Sequence, residues 1–138
     1  HLDALMDAMR TDENLQMATL ATPIRDDHQI HDSNVVKVVM ANNGDALYFS
    51  RATIPHQRDA DNVSTQYLRH IGVYAYSADW LQKMAKLPPT PLEETEKLEQ
   101  LRVLENGAKI RVVVVDDVVS IAIDTPQDLQ VAEQFLKG

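Results

Sequence analysis

Hydrophobic and polar positions change period several times along the chain, and each change marks an element. Leu2, Leu5, Met6 and Met9 recur at helical spacing, which predicts an amphipathic helix over residues 2–10. Thr11-Asp12-Glu13-Asn14 breaks it, and residues 16–24 read as a short strand centred on Met17-Ala18-Thr19-Leu20-Ala21. Residues 25–33 are polar, without a period, and read as a loop. Residues 35–40 form a β-branched run. Asn42-Asn43-Gly44-Asp45 favours positive φ and predicts a tight turn, so residues 46–50 return as the second strand of a hairpin. Pro55 stops the pairing soon after.

Residues 58–65 are charged and polar and predict a mobile surface loop. Residues 67–76 are aromatic and β-branched and predict a strand, with Gly72 marking a bulge or a close backbone approach. Ser77 can cap a helix that buries Trp80, Leu81, Met84 and Leu87. After Pro88-Pro89, Thr90, Pro91 and Glu93 make a strong helix start, and this helix is expected to run to about Asn106, where Gly107 ends it. Residues 109–115 are mostly Ile and Val and predict a strand buried on both faces. Asp124-Thr125-Pro126-Gln127-Asp128 opens a last helix. Alternating helices and strands around a hairpin imply an α/β fold with a mixed sheet.

At 138 residues the chain is one domain or part of one. Its net charge of −8 argues against a broad nucleic-acid surface but leaves room for a local basic pocket. Without cysteine it has neither disulfides nor thiolate metal sites. No apolar run reaches the roughly 20 residues of a membrane span. The chain opens at His1 inside an amphipathic element, which reads as a piece of something longer.

Four places could carry chemistry. Arg51, at a strand end, suits bidentate capture of a carboxylate, and equally suits pairing with one of many acids. His70 and Tyr74 lie four apart on a strand and share a face, where they could bind a polyol or simply fill a half-buried sheet. Glu99 and Gln100 sit on a helix, where Glu99 could pair with Arg102. Asp124 follows a strand-like segment and could ligate Mg²⁺ or favour a helix N-terminus. His28 and His31 among Asp26, Asp27 and Asp32 fit a solvated loop better than a metal cluster.

Several of these segments together resemble the 3-deoxy-manno-octulosonate (Kdo) cytidylyltransferases. The segments are Met17-Ala18-Thr19-Leu20-Ala21, Val36-Lys37-Val38-Val39, Ala46-Leu47-Tyr48-Phe49-Ser50-Arg51, His70-Ile71-Gly72-Val73-Tyr74, Leu98-Glu99-Gln100-Leu101-Arg102 and Asp124-Thr125-Pro126-Gln127-Asp128-Leu129. The resemblance covers almost the whole chain in order. It implies a nucleotide-diphospho-sugar transferase-like (Rossmann-like) fold and an enzyme that couples CTP and Kdo to give CMP-Kdo and pyrophosphate with Mg²⁺, ahead of lipopolysaccharide assembly. It implies a Kdo pocket of Arg51, His70, Tyr74, Glu99 and Gln100, a metal ligand in Asp124, a homodimer, and a bacterial cytoplasmic location.

The family's amino-terminal phosphate loop and its other metal aspartate have no counterpart here. Residues 1–138 are therefore expected to be the carboxyl-terminal half of one cytidylyltransferase domain, inactive alone. Ser120-Ile121-Ala122-Ile123 stands where family members commonly carry glycines, and Gln127 replaces a glutamate. Two alternatives stay open: a non-catalytic sugar-binding and dimerisation module, and a cytidylyltransferase for another sugar acid.

Overall fold

The computed structural model describes residues 2–59 and 65–116. Asp124, the segment 120–123 before it and the helix expected after it lie outside the described residues, as does most of the surface loop expected over 58–65. In chain order the elements are α1 (Leu2–Thr11), β1 (Met17–Pro23), α2 (Asp27–Ile30), β2 (Lys37–Met40), β3 (Ala46–Ser50), β4 (Leu68–Tyr76), α3 (Ala78–Ala85), α4 (Pro91–Glu96), α5 (Leu101–Glu105) and β5 (Arg111–Val114).

The strands form one mixed sheet in the order β3-β2-β4-β1-β5. β1 and β5 are parallel and the other pairs antiparallel. β1 lies between β4 and β5 with apolar packing on both faces, so its side chains divide by pleat. Met17 and Ala21 join a core with Phe49, Trp80, Leu101, Val103 and Ile110. Ala18 and Leu20 join a second core with Leu5 of α1, Val73 and Ala75.

The expected hairpin forms. Gly44, at φ +92°, supplies the left-handed residue of its turn, and a Cβ there would stand 3.1 Å from Arg111 Cδ. The turn also reaches the opposite edge of the sheet. Ala46 N donates to Ile110 O and Val112 N to Gly44 O, each at 2.8 Å. Arg111 adds side-chain bonds to Asp45 (2.9 Å) and Asp12 (3.4 Å).

Gly72 marks a bulge, not a close approach. Thr19 pairs with Tyr74 but Leu20 with Ile71, so Gly72 and Val73 have no partner on β1. A Cβ on Gly72 would meet nothing within 4 Å.

Four expectations are corrected. The segment 25–33 is not all loop, because Asp26 accepts from His28 N and caps the single turn α2. The helix expected from residue 91 to about 106 is two helices. Lys97 takes the left-handed conformation (φ 58°, ψ 46°) and ends α4, and α5 starts at Leu101. Leu81 is 37% exposed, since it projects about 100° from buried Trp80. Val114 is 43% exposed because β5 is the sheet's outer strand among the described residues.

Candidate functional site

The break between α4 and α5 makes the site. It turns residues 97–100 across the sheet face and closes a cavity of about 220 Å³ lined by Met17, Tyr74, Tyr76, Met84, Lys97, Leu98, Glu99 and Gln100. A continuous helix would carry Glu99 toward Arg102. Here Arg102 is held by buried Glu93 instead, through Nε–Oε1 at 2.8 Å and Nη2–Oε2 at 2.6 Å. The Glu99 carboxylate is left at the cavity with no ion-pair partner among the described residues.

His70 stands behind this cavity. Its ring contacts Phe49 edge-on at a centroid distance of 4.8 Å and Tyr74 at 5.5 Å. Nε2 lies 2.9 Å from Thr19 Oγ1, and Gln100 Nε2 lies 3.4 Å from Nδ1. Burial lowers the His70 pKa to about 4, so the ring is neutral at pH 7. Burial raises the Tyr74 phenol, helped by Tyr76 and the Glu99 carboxylate, and pushes Tyr76 up to about 12. Both hydroxyls therefore stay protonated and can donate.

The cavity thus presents phenolic donors, an amide and a carboxylate over an apolar floor of Met17, Met84 and Leu98, which matches a compact polyhydroxylated ligand.

Arg51 is not among the lining residues. Its guanidinium binds backbone: Nε to Glu96 O at 2.7 Å, Nη1 to Ser33 O at 3.1 Å and Nη2 to Lys97 O at 3.3 Å. Its own N–H donates to Glu96 Oε1 at 3.0 Å. Arg51 therefore clamps the segment that leads into Glu99 and Gln100. Burial pushes the Glu96 carboxyl upward, but hydrogen bonds from the Ser50 hydroxyl, the Arg51 N–H and the Tyr48 hydroxyl outweigh it and hold the pKa below the usual range.

Two residues of this neighbourhood carried no sequence signal. Lys37, fully buried in β2, spends its three ammonium protons on the carbonyls of Asp32 (2.7 Å), Val35 (2.7 Å) and Arg51 (3.0 Å). A lysine inside a valine run reads as solvent-facing; nothing local reveals carbonyls converging on it. Thr19, on buried β1, reads only as a good strand former. The structure thus gathers Tyr74, Glu99, Gln100 and His70 and sets Arg51 beside them. Asp124 lies outside the described residues.

A family model described as cytidylyltransferase matches residues 1–110. The chain belongs to the cytidylyltransferase family. Among its relatives in this family, the 3-deoxy-manno-octulosonate cytidylyltransferase of Xanthomonas campestris pv. campestris (strain 8004) is 51% identical over 128 residues, 88% of this chain and 51% of that protein. The protein of the same name from Syntrophotalea carbinolica is 46% identical over 144 residues, 99% of this chain and 57% of that protein. A solved CMP:2-keto-3-deoxy-manno-octonic acid synthetase, in complex with CTP, superposes with a TM-score of 0.81 at 38% identity, covering 99% of this chain and 55% of that one. The expected α/β fold is that of this cytidylyltransferase. The chain spans about half the length of the curated relatives it matches.

Proposed function

We propose that this chain is the sugar-side part of a cytidylyltransferase that transfers CMP from CTP to Kdo and releases pyrophosphate. The observation that carries this is the cavity itself: in a chain of this family, Tyr74, Glu99 and Gln100 converge on one polar space, backed by His70. Relatives named for Kdo, and a structural neighbour solved with CTP, support the choice of sugar and nucleotide.

The reaction is an in-line attack of a sugar oxygen on the α-phosphate, so the protein's task is to position the sugar. Glu99 and Gln100 would accept from sugar hydroxyls, and Tyr74 would donate. Arg51, which the family resemblance assigns to the sugar carboxylate, would also orient the segment that bears Glu99.

Mg²⁺ would neutralise charge on the phosphates. Asp124, outside the described residues, would be one of its ligands, and one or two protein carboxylates suffice for such an ion. The placement as a carboxyl-terminal half, a homodimer and a cytoplasmic location belong to the same proposal. No helix among the described residues is long and apolar enough to cross a membrane.

The test is pyrophosphate release from CTP, Kdo and Mg²⁺ by the full-length protein that carries this chain. Turnover that depends on Kdo, with KM for the sugar raised in Gln100→Ala, is expected. A folded full-length protein that turns over only another sugar acid, or nothing, would replace this reading with one of the two alternatives.

A further inference from the structure

The bulge in β4 reaches the cavity through a single proton. Gly72 and Val73 have no partner on β1. Thr19 Oγ1 lies 2.8 Å from Val73 O and 3.2 Å from Ile71 O. A carbonyl only accepts, so the one hydroxyl proton of Thr19 goes there. Oγ1 then has only lone pairs to offer His70 Nε2 at 2.9 Å, and Nε2 must carry the ring proton. Nδ1 is consequently a bare acceptor and receives the Gln100 amide at 3.4 Å. That fixes which end of the amide faces the ring. Gln100 Oε1 accepts no hydrogen bond among the described residues and remains for the cavity that Gln100 lines.

We propose that Thr19 is a positioning residue: it sets the Nε2–H tautomer of His70, and through it presents the Gln100 carbonyl oxygen, beside the Glu99 carboxylate, as an acceptor for ligand hydroxyls. The opposite tautomer would invite the amide to flip and offer its NH₂ instead. The acceptor beside the Glu99 carboxylate would then become a donor, and a ligand hydroxyl could no longer donate to Gln100. The tautomer stands on the hydrogen bonds alone; its use in sugar recognition rests on the function proposed above.

Long-range ¹H–¹⁵N correlation on histidine-labelled full-length protein reads the tautomer directly, with His70→Gln assigning the signal. At pH 7 the expected spectrum shows His70 protonated at Nε2 and bare at Nδ1. Thr19→Val, which keeps the shape and removes the hydroxyl, should give mixed tautomers. Thr19→Ser should restore the native pattern, and Gln100→Leu should leave it unchanged. An Nδ1–H signal in the native protein overturns the proposal, and so does a pattern that survives Thr19→Val or changes in Gln100→Leu. Should Thr19→Val not fold, the native, Thr19→Ser and Gln100→Leu spectra decide. With Kdo as substrate, Thr19→Val should raise KM for the sugar roughly tenfold and leave KM for CTP unchanged. Failure with Kdo but a native Nε2–H signal lost in Thr19→Val would refute the choice of sugar and leave the tautomer assignment standing.

Discussion

Glu93 receives Arg102 through two parallel bonds, 2.8 and 2.6 Å long, while Glu99, the carboxylate one turn away that the spacing offers, acts on the same guanidinium only through space. The same carboxylate accepts from Thr90 N at 3.1 Å, so one buried group caps α4 and ties it to α5. Removing one partner of a buried pair strands the other charge. Glu93→Gln should cost about 3 kcal/mol in urea unfolding, the low end for such pairs because Arg102 keeps some solvent. The Arg102 hydrogen bond is the main reason the Glu93 pKa is lowered, so this stabilisation is complete above the carboxyl's unfolded value and fades as pH falls through the folded one. In Glu93→Gln the acid limb of the stability profile should flatten.

His70 gives a second pH dependence, higher on the scale. Its folded pKa, near 4, lies below the ordinary 6.5, so the unfolded chain binds the proton first. Stability should be full above about pH 6.5 and fall by roughly 3 kcal/mol on the way to pH 4. Urea midpoints at pH 7 and pH 5 should converge in His70→Gln; an unchanged gap would mean that another group titrates.

Arg51 can be tested as a clamp and as a ligand separately. Arg51→Ala should lose about 2 kcal/mol of stability by freeing partly buried carbonyls. It should also raise KM for the sugar. If the clamp accounts for that rise, a sugar analogue with its carboxylate converted to the amide will lose the same factor in native and variant proteins. If Arg51 meets the carboxylate directly, the variant will discriminate less between the two.

Lys37→Met should be more damaging than its conservative volume implies. It strips the donor from the carbonyls of Asp32, Val35 and Arg51, at about 1–3 kcal/mol for each one left unsatisfied. Burial lowers the lysine's pKa, against the pull of Asp32, so the folded state gives up this proton before the unfolded chain does, and fluorescence-monitored unfolding should show the native protein's margin over the variant widening as pH rises from the folded pKa to the unfolded one.

Much of the fold was legible because periodicity and turn chemistry are local. The strand at Met17, the Asn42–Asp45 turn, the Ser77 cap and the bulge at Gly72 each follow from residue types within a few positions. The end of α4 does not. Left-handed backbone at Lys97 has no glycine to announce it, and the Glu93–Arg102 pair that spans it joins residues nine positions apart. Of the site, Tyr74, His70, Glu99 and Gln100 are legible as candidates, but the cavity that unites them exists only because the expected helix breaks. Lys37 and Thr19 stayed hidden because their partners are carbonyls, which every residue carries.

The link between the hairpin turn and β5 has a consequence for how the chain opens. Asp45 and Arg111 are 66 positions apart, yet they close the same turn. Hairpins are ordinarily local and form within microseconds. This one is completed only when a distant strand arrives, because the Ala46 amide is donated to Ile110 rather than within the hairpin. Its exchange with deuterium should therefore follow the slow cooperative opening of the whole sheet, and the tip of the loop should protect its protons as a core strand does.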